Sequence, residues 1–440
     1  MAVASKENAL SRVTRDPVSR RKLLAVTGSS TALAAFLAAC GGGSDSTTST
    51  SGGNTGTEKF GKGDVGILNY ALTLEYLETA FYEDVVRSGL FKGSDLETIR
   101  KFGSEEAEHV KALTGFVKQM GGTPAPKPKT EFPLKSAKSV LELAATVENL
   151  GAAAYLGQAP NIKGASVLAA ALSIHSVEGR HAAALNTLLG ESIVPDGAFA
   201  KPAGANEVLK RRTLHRRLSW RTKRKENEMS DQILAQPELA AVNVEADSED
   251  LSRSEVILRG ALAAGAIYGA AMVAPFVGRA LAMSESGDVG ILNFALTLEY
   301  LESAFYREAK KRARASGELK SLIATISRDE DEHVGALTET IKKLGGKPVA
   351  EPKFDFPYSG TSGFLKLAQT FEDTGVSAYN GAAPQIKSKE VLEAAGSIVQ
   401  VEARHAAAIR LQSGEEPAPE AFDPALPEAK VLKAVEPFIQ

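Results

Sequence analysis

The chain is 440 residues long, room for two or three domains, and its formal net charge is only −3, so no general basicity points to nucleic acid. Its single cysteine, Cys40, excludes structural disulfides, thiolate zinc sites and iron–sulfur centres built by this chain alone. Few aromatics and many Ala and Leu suit helices.

Residues 1–40 read as an export signal: Ser19-Arg20-Arg21-Lys22, a short apolar run, then Leu37-Ala38-Ala39-Cys40. Arg20-Arg21 resembles the twin-arginine export motif, which implies passage of a folded, already metallated protein. Leu37 to Cys40 resembles the lipobox of bacterial lipoproteins, which implies lipidation of Cys40. An uncleaved membrane anchor is the plainer alternative. Residues 41–59 are rich in Gly, Ser and Thr, a composition expected to be disordered and to serve as a flexible tether.

Residues 60–210 form the first domain. Apolar residues at helical spacing predict helices over 65–87, 95–120, 137–157 and 165–189. Gly121-Gly122-Thr123-Pro124 opens a Pro- and Lys-rich crossover, whereas Pro160–Gly164 is a short loop. Helices joined short, long, short predict an all-α four-helix bundle with one long crossover.

Residues 211–255, basic and then acidic, read as a disordered linker. Within 256–283, the run from Gly260 to Gly278 carries no charge and is long enough to span a bilayer. Ala280-Leu281-Ala282 then resembles a signal-peptidase site, so this segment is either a second export signal or a membrane span. The basic residues 210–225 could alternatively bind membrane or nucleic acid, but with one tryptophan and no partner fold they look like out-of-frame sequence. Two neighbouring reading frames joined near Lys210 would account for both features.

Residues 284–440 repeat the first domain. Gly63-Asp64-Val65-Gly66-Ile67-Leu68-Asn69 returns as Gly287-Asp288-Val289-Gly290-Ile291-Leu292-Asn293, an offset of 224. A repeat this long is a duplicated domain rather than a solenoid unit.

Four Glu-x-x-His steps occur in matched register: Glu106/His109, Glu178/His181, Glu330/His333 and Glu402/His405. A lone Glu precedes each by 30 or 31 residues: Glu75, Glu148, Glu299 and Glu372. Residues three apart share a helix face, so each step aims a carboxylate and an imidazole the same way. Seven residues after each lone Glu stands a tyrosine, Tyr82, Tyr155, Tyr306 or Tyr379, two turns on along nearly the same face. Four inward carboxylates per bundle repel one another and lose hydration, a cost of several kcal/mol each when unpaired. Two divalent cations cancel them and take the imidazoles as neutral donors. Carboxylate and imidazole without thiolate suit iron(II) or manganese(II), two ions per domain, where oxygen or peroxide can bind.

Nearby residues carry lesser expectations. Glu78 and Glu302, one turn past the first ligand, read as supporting or substitute ligands, because helix three has Gly151 and Gly375 in the matching place. Glu105, Glu108, Asp329 and Glu332 are expected to face solvent. His175, whose counterpart is Val399, has no expected role. The tyrosines either hydrogen-bond the ligands, carry an electron, or pack in the core.

These segments, above all Leu74–Tyr82, Glu105–His109 and Val177–His181 with their second-copy partners, resemble the ferritin-like superfamily, in particular the bacterial group that includes desiccation-related proteins. The resemblance covers about 60–210 and 284–440, two tandem bundles. It implies Glu75, Glu148, Glu299 and Glu372 as terminal carboxylates, and Glu106, Glu178, Glu330 and Glu402 as bridging ones. His109, His181, His333 and His405 would each cap one metal. The superfamily includes ferroxidases, peroxidases, manganese catalases and oxygenases, so the fold does not choose among them. No Cys-x-x-Cys pair exists for a rubredoxin domain, and a lipid tether argues against an iron-storage cage. The expectation is an exported protein of the cell envelope or periplasm, tethered to the membrane, that handles peroxide or iron under oxidative or drying stress. The alternatives are a non-catalytic structural metal module and a di-metal oxygenase. Homo-oligomers or pairing of the two domains fit equally.

Resequencing the region around Lys210 checks the fused-frame expectation: a frameshift is expected there, and one intact frame giving one full-length product contradicts it.

Overall fold

A computed structural model describes residues 56–210 and 287–440. The export signal with Cys40, most of the tether, the linker past Lys210 and the apolar run 260–278 lie outside the described residues. No described helix is long and apolar enough to cross a membrane.

The described chain is two tandem four-helix bundles. The first comprises α1 (Gly63–Ser88), α2 (Ser94–Gln119), α3 (Ala137–Gln158) and α4 (Ala165–Leu189). The second comprises α5 (Asp288–Arg312), α6 (Gly317–Lys343), α7 (Gly360–Ala382) and α8 (Lys389–Ser413), followed by a short α9 (Glu428–Val435). The first four lie within two residues of their predicted ends. Among the described residues there is no strand, only an isolated bridge between Phe354 and Ile439.

Local chemistry sets the ends. Ser136 and Ser139 form a reciprocal capping box at the start of α3. Gly190 and Gly414 end α4 and α8 in the left-handed conformation, at φ 70° and 74°. In both, the glycine and the residue after it donate back into the last turn, Glu191 N to Asn186 O and Glu415 N to Arg410 O.

The repeated Gly-Asp-Val-Gly-Ile-Leu-Asn segment stitches each bundle together. Asp64 accepts from the backbone of Lys163 and Gly164, at 3.0 and 2.7 Å, fixing the loop that leads into α4. Asn69 donates to Thr123 O and accepts from Ala125 N, at 3.0 and 2.8 Å, pinning the long crossover. Asp288 and Asn293 repeat both roles on Lys387, Ser388, Lys347 and Val349.

Each bundle is layered along its axis. In the first, Phe81, Phe102, Val140 and Leu185 pack at one end, and Leu72, Leu113, Val167 and Ile174 at the other. The buried residues Glu75, Glu106, His109, Glu148, Glu178 and His181 fall between these layers along their helices.

The two bundles pack through α4 and α8. Small residues permit the approach: a Cβ on Gly179 would lie 3.1 Å from Gln400 O. His175 is buried at this interface and donates from Nε2 to Gly396 O at 3.1 Å; burial lowers its pKa to about 4. The segments after α4 and α8 cross reciprocally. Ala200 exchanges hydrogen bonds with Ser397 of the second bundle, and Asp423 does so with Ser173 of the first. Arg180, fully buried, binds Asp423 at 2.8 Å and Asp373 at 2.9 Å. Its counterpart Arg404 reaches only neutral acceptors, Asn149 Oδ1 and Ile193 O, and burial lowers its pKa to about 10.

Arg180→Ala strands Asp423 as a buried carboxylate without its cation. The expected loss is about 3–5 kcal/mol of stability in urea unfolding, with Arg404→Ala costing less; equal effects would show that the ion pair does not decide the interface.

Candidate metal centre

The layer between the apolar ends of each bundle gathers the lone glutamates and the Glu-x-x-His steps. All twelve side chains are buried to 0% exposure. In the first bundle His109 Nδ1 lies 3.1 Å from Glu75, 3.0 Å from Glu106 and 3.6 Å from Glu178. His181 Nδ1 lies 2.9 Å from Glu106 and 3.5 Å from Glu148. Ligand-type atoms therefore fall into two groups, Glu75/Glu106/His109/Glu178 and Glu106/Glu148/Glu178/His181, each within 4.8 Å, and they share Glu106 and Glu178. The second bundle repeats this with Glu299/Glu330/His333/Glu402 and Glu330/Glu372/Glu402/His405.

The outer atoms of these side chains are held by fixed partners. His109 Nε2 donates to Ala421 O at 2.6 Å, and His333 Nε2 donates to Ala198 O at 2.7 Å. Each acceptor belongs to the crossing segment of the other bundle, and Phe422 and Phe199 meet the same imidazoles edge-on. In the neutral ring this places the Nδ1 lone pair toward the carboxylates. His181 Nε2 instead donates to Glu105 at 2.9 Å, with Lys101 on the far oxygen, and His405 Nε2 lies 3.3 Å from Asp329, which Arg328 holds. Each bundle thus backs one imidazole with a carbonyl and the other with a carboxylate.

The expectation that Glu105 and Asp329 face solvent is therefore wrong; both are buried, at 2% and 0%. Glu105 stands four residues before His109, on the inward side of α2, and that spacing was the available signal. Glu108 is exposed and Glu332 is half-buried. The crossing carbonyls had no sequence signal, because any residue supplies a carbonyl.

The tyrosines bind the terminal carboxylates crosswise. Tyr82 of α1 donates to Glu148 of α3, and Tyr155 of α3 donates to Glu75 of α1 at 2.5 Å. Tyr306 and Tyr379 do the same for Glu372 and Glu299. Burial and the adjacent glutamates push all four phenols well above their ordinary range, so they remain donors.

Glu78 and Glu302 add a fifth buried carboxylate to each site, on one side only. A Cβ on Gly151 would lie 2.6 Å from Glu178 and 3.1 Å from Glu78; one on Gly375 would lie 3.0 Å from Glu302. Glycine on α3 and α7 makes the room these carboxylates occupy.

Burial and crowded negative charge shift several of these groups. Burial pushes Glu75 up to about 7 and Glu299 up to about 8, although the neighbouring imidazoles pull downward. Glu178 and Glu372 are held well above the carboxylate range, first by burial; around Glu178 the repulsion of Glu106 and Glu75 adds to it. Burial would lower the four imidazoles, but the carboxylates outweigh it and raise them well above their usual value. Glu178 and Glu402 have both oxygens without a hydrogen-bond donor, and Nδ1 of His181 and His405 faces only carboxylates, Glu106 and Glu330 at 2.9 Å. Four carboxylates converging on two imidazoles leave more buried acceptor oxygens than donors can meet, which fits cations.

Fold and site together describe a helical-bundle protein with paired carboxylate–imidazole clusters. The chain belongs to the ferritin-like domain family, whose profile matches residues 63–191 and again 287–415. No curated protein matches the chain.

A buried acid or imidazole with a raised pKa contributes stability that is lost as pH rises through its folded value. The metal-free protein is therefore expected to lose thermal stability from about pH 4.5, the ordinary carboxylate value, up to about pH 8, through the values of Glu75 and Glu299. Cation binding favours the deprotonated groups, so the Tm gap between loaded and metal-free protein should widen over that window. Parallel scans by circular dichroism check this; a constant gap contradicts it.

Proposed function

We propose that each bundle holds two iron or manganese ions and that the protein handles peroxide or iron at the cell envelope under oxidative or drying stress. The observation that carries the metal assignment is the convergence of buried carboxylate oxygens and imidazole nitrogens, with both oxygens of Glu178 and of Glu402 lacking a hydrogen-bond donor. Glu75 and His109 would hold one ion and Glu148 and His181 the other, with Glu106 and Glu178 shared. Glu299, His333, Glu372, His405, Glu330 and Glu402 take the same roles in the second bundle. The absence of any thiolate at these positions favours iron or manganese over zinc. The envelope setting rests on the resemblance of Arg20-Arg21 and Leu37–Cys40 to export and lipidation signals.

When bound, such an ion pair supplies electron exchange with oxygen or peroxide. The protein's part is to hold the site. Tyr82 and Tyr155 occupy one oxygen of each terminal carboxylate and leave the other free for an ion. Glu105 and the Ala421 carbonyl fix the two imidazoles. The flanking apolar layers keep water from competing for the ligands.

The complete burial of all twelve residues favours a second reading, in which the ions only stabilise the bundles. Elemental analysis after anaerobic loading tests the assignment: four ions per chain are expected, one for each ligand group. Fewer than about one per bundle sinks it, given that this ligand set suits iron or manganese. Peroxide consumption separates the two readings. A rate no faster than that of the His109→Ala/His333→Ala double variant assigns the metals a structural role.

A further inference from the structure

The two metal layers have matched ligands, but the groups packed behind one imidazole of each layer differ. In the first bundle Phe102 of α2 stacks on the His181 ring, with centroids 4.1 Å apart and planes 29° from parallel. The same phenyl ring meets Tyr82 edge-on at 6.1 Å. Tyr82 holds Glu148, so one fully buried ring braces both ligands on the outer side of a single ion position. Gly103 makes room for this. A Cβ there would lie 2.8 Å from Cβ of Tyr82, so glycine lets α2 come close to α1.

The second bundle has Ile326 and Ser327 at the matching places, both buried. An isoleucine has no flat face to lay on the His405 imidazole. Tyr306 rests instead on Phe305 and Phe364, edge-on at 5.2 and 6.0 Å, within the apolar layer. The carboxylate behind the imidazole differs too. Glu105 lies 2.9 Å from His181 Nε2, and Lys101, which holds it, also donates to Pro419 O of the second bundle's crossing segment at 3.1 Å. Asp329, one methylene shorter, lies 3.3 Å from His405 Nε2. Arg328, which holds Asp329, is 56% exposed, and Thr325 stands where the first bundle has Lys101.

We propose that the two centres are unequal in metal affinity: the Glu148/His181 position retains its ion, the Glu372/His405 position exchanges it, and Phe102 is the positioning residue that sets them apart. This rests on the assignment of metal to both bundles. Three effects act in the same direction. An imidazole clamped between a phenyl face and a carboxylate already has the ligating orientation, so less freedom is lost when an ion arrives. Ligation draws electron density from the imidazole, and an electron-poor ring is held better by the negative face of a phenyl group. The closer carboxylate makes His181 the more basic ligand. When metal is limiting, the first bundle fills first.

The test uses the full chain with one layer disabled at a time by neutral isosteres. Glu330→Gln/Glu402→Gln isolates the first centre, and Glu106→Gln/Glu178→Gln isolates the second. Manganese(II) is titrated into each, and the free ion is read by electron paramagnetic resonance, which needs no turnover. The first centre is expected to hold one of its ions at least about tenfold more tightly than the second holds the corresponding ion, the usual weight of the groups behind a metal-bound histidine. Phe102→Ile should weaken that one ion about tenfold and leave the other unchanged, a pattern that general loss of stability does not produce. Ile326→Phe should tighten one ion of the second centre, so a folding defect in either variant leaves the other to decide. Equal affinities in the two parent chains, or a Phe102→Ile change that weakens both ions alike, overturn the proposal. Manganese retained by neither chain overturns the metal assignment itself, and this proposal with it.

Discussion

The structure depends on how each bundle tolerates six acidic side chains in its dry interior. Water is excluded by apolar layers on both sides, so the charge has to be met inside the protein or by cations. The neighbouring groups divide this work. Tyrosines meet the outer oxygens of the terminal carboxylates, and imidazoles face the inner ones. What remains unmet points at two shared positions per bundle, which is where positive charge lowers the energy most. Gly151 and Gly375 belong to the same constraint, because a methyl group there would collide with the carboxylates.

The pairing of the bundles follows from the sites as much as from the packing of α4 on α8. His109 and His333 each rest on a carbonyl from the other bundle's crossing segment. The layer that fixes one imidazole of a site is therefore absent from an isolated bundle. The carboxylate-backed imidazoles, His181 and His405, are complete within their own bundle. An ion beside a carboxylate-backed imidazole meets a more basic ligand than one beside a carbonyl-backed imidazole. The two positions within each site are thus unequal even though their primary ligands are matched.

The first bundle resembles the second closely in its interior and departs from it at the edge. The twelve site residues, the four tyrosines and the stitching residues Asp64 and Asn69 are all repeated. The ion-paired arginine is not, since Arg180 meets two aspartates and Arg404 none at hydrogen-bonding distance. The arginine difference comes from two exchanges, Asp373 where the first bundle has Asn149 and Asp423 where its crossing segment has Ala200.

Helix positions, the tandem repeat and the inward register of Glu75, Glu106, His109, Glu148, Glu178 and His181 were legible in the sequence, because helical periodicity converts spacing directly into a shared face. Local spacing determined those features of the protein. Other features were decided by contacts between residues far apart in the chain. Glu105 and Asp329 look like surface acids until α4 and α8 bring His181 and His405 against them. The Gly-Asp-Val-Gly-Ile-Leu-Asn segment announces the repeat, but its capping of distant loops exists only once α1 meets them. The crossing carbonyls of Ala198 and Ala421 carry no side-chain signature at all. Periodicity describes one helix at a time, whereas the burial of charge, the backing of each imidazole and the joining of the two bundles arise only when separate helices close on one another.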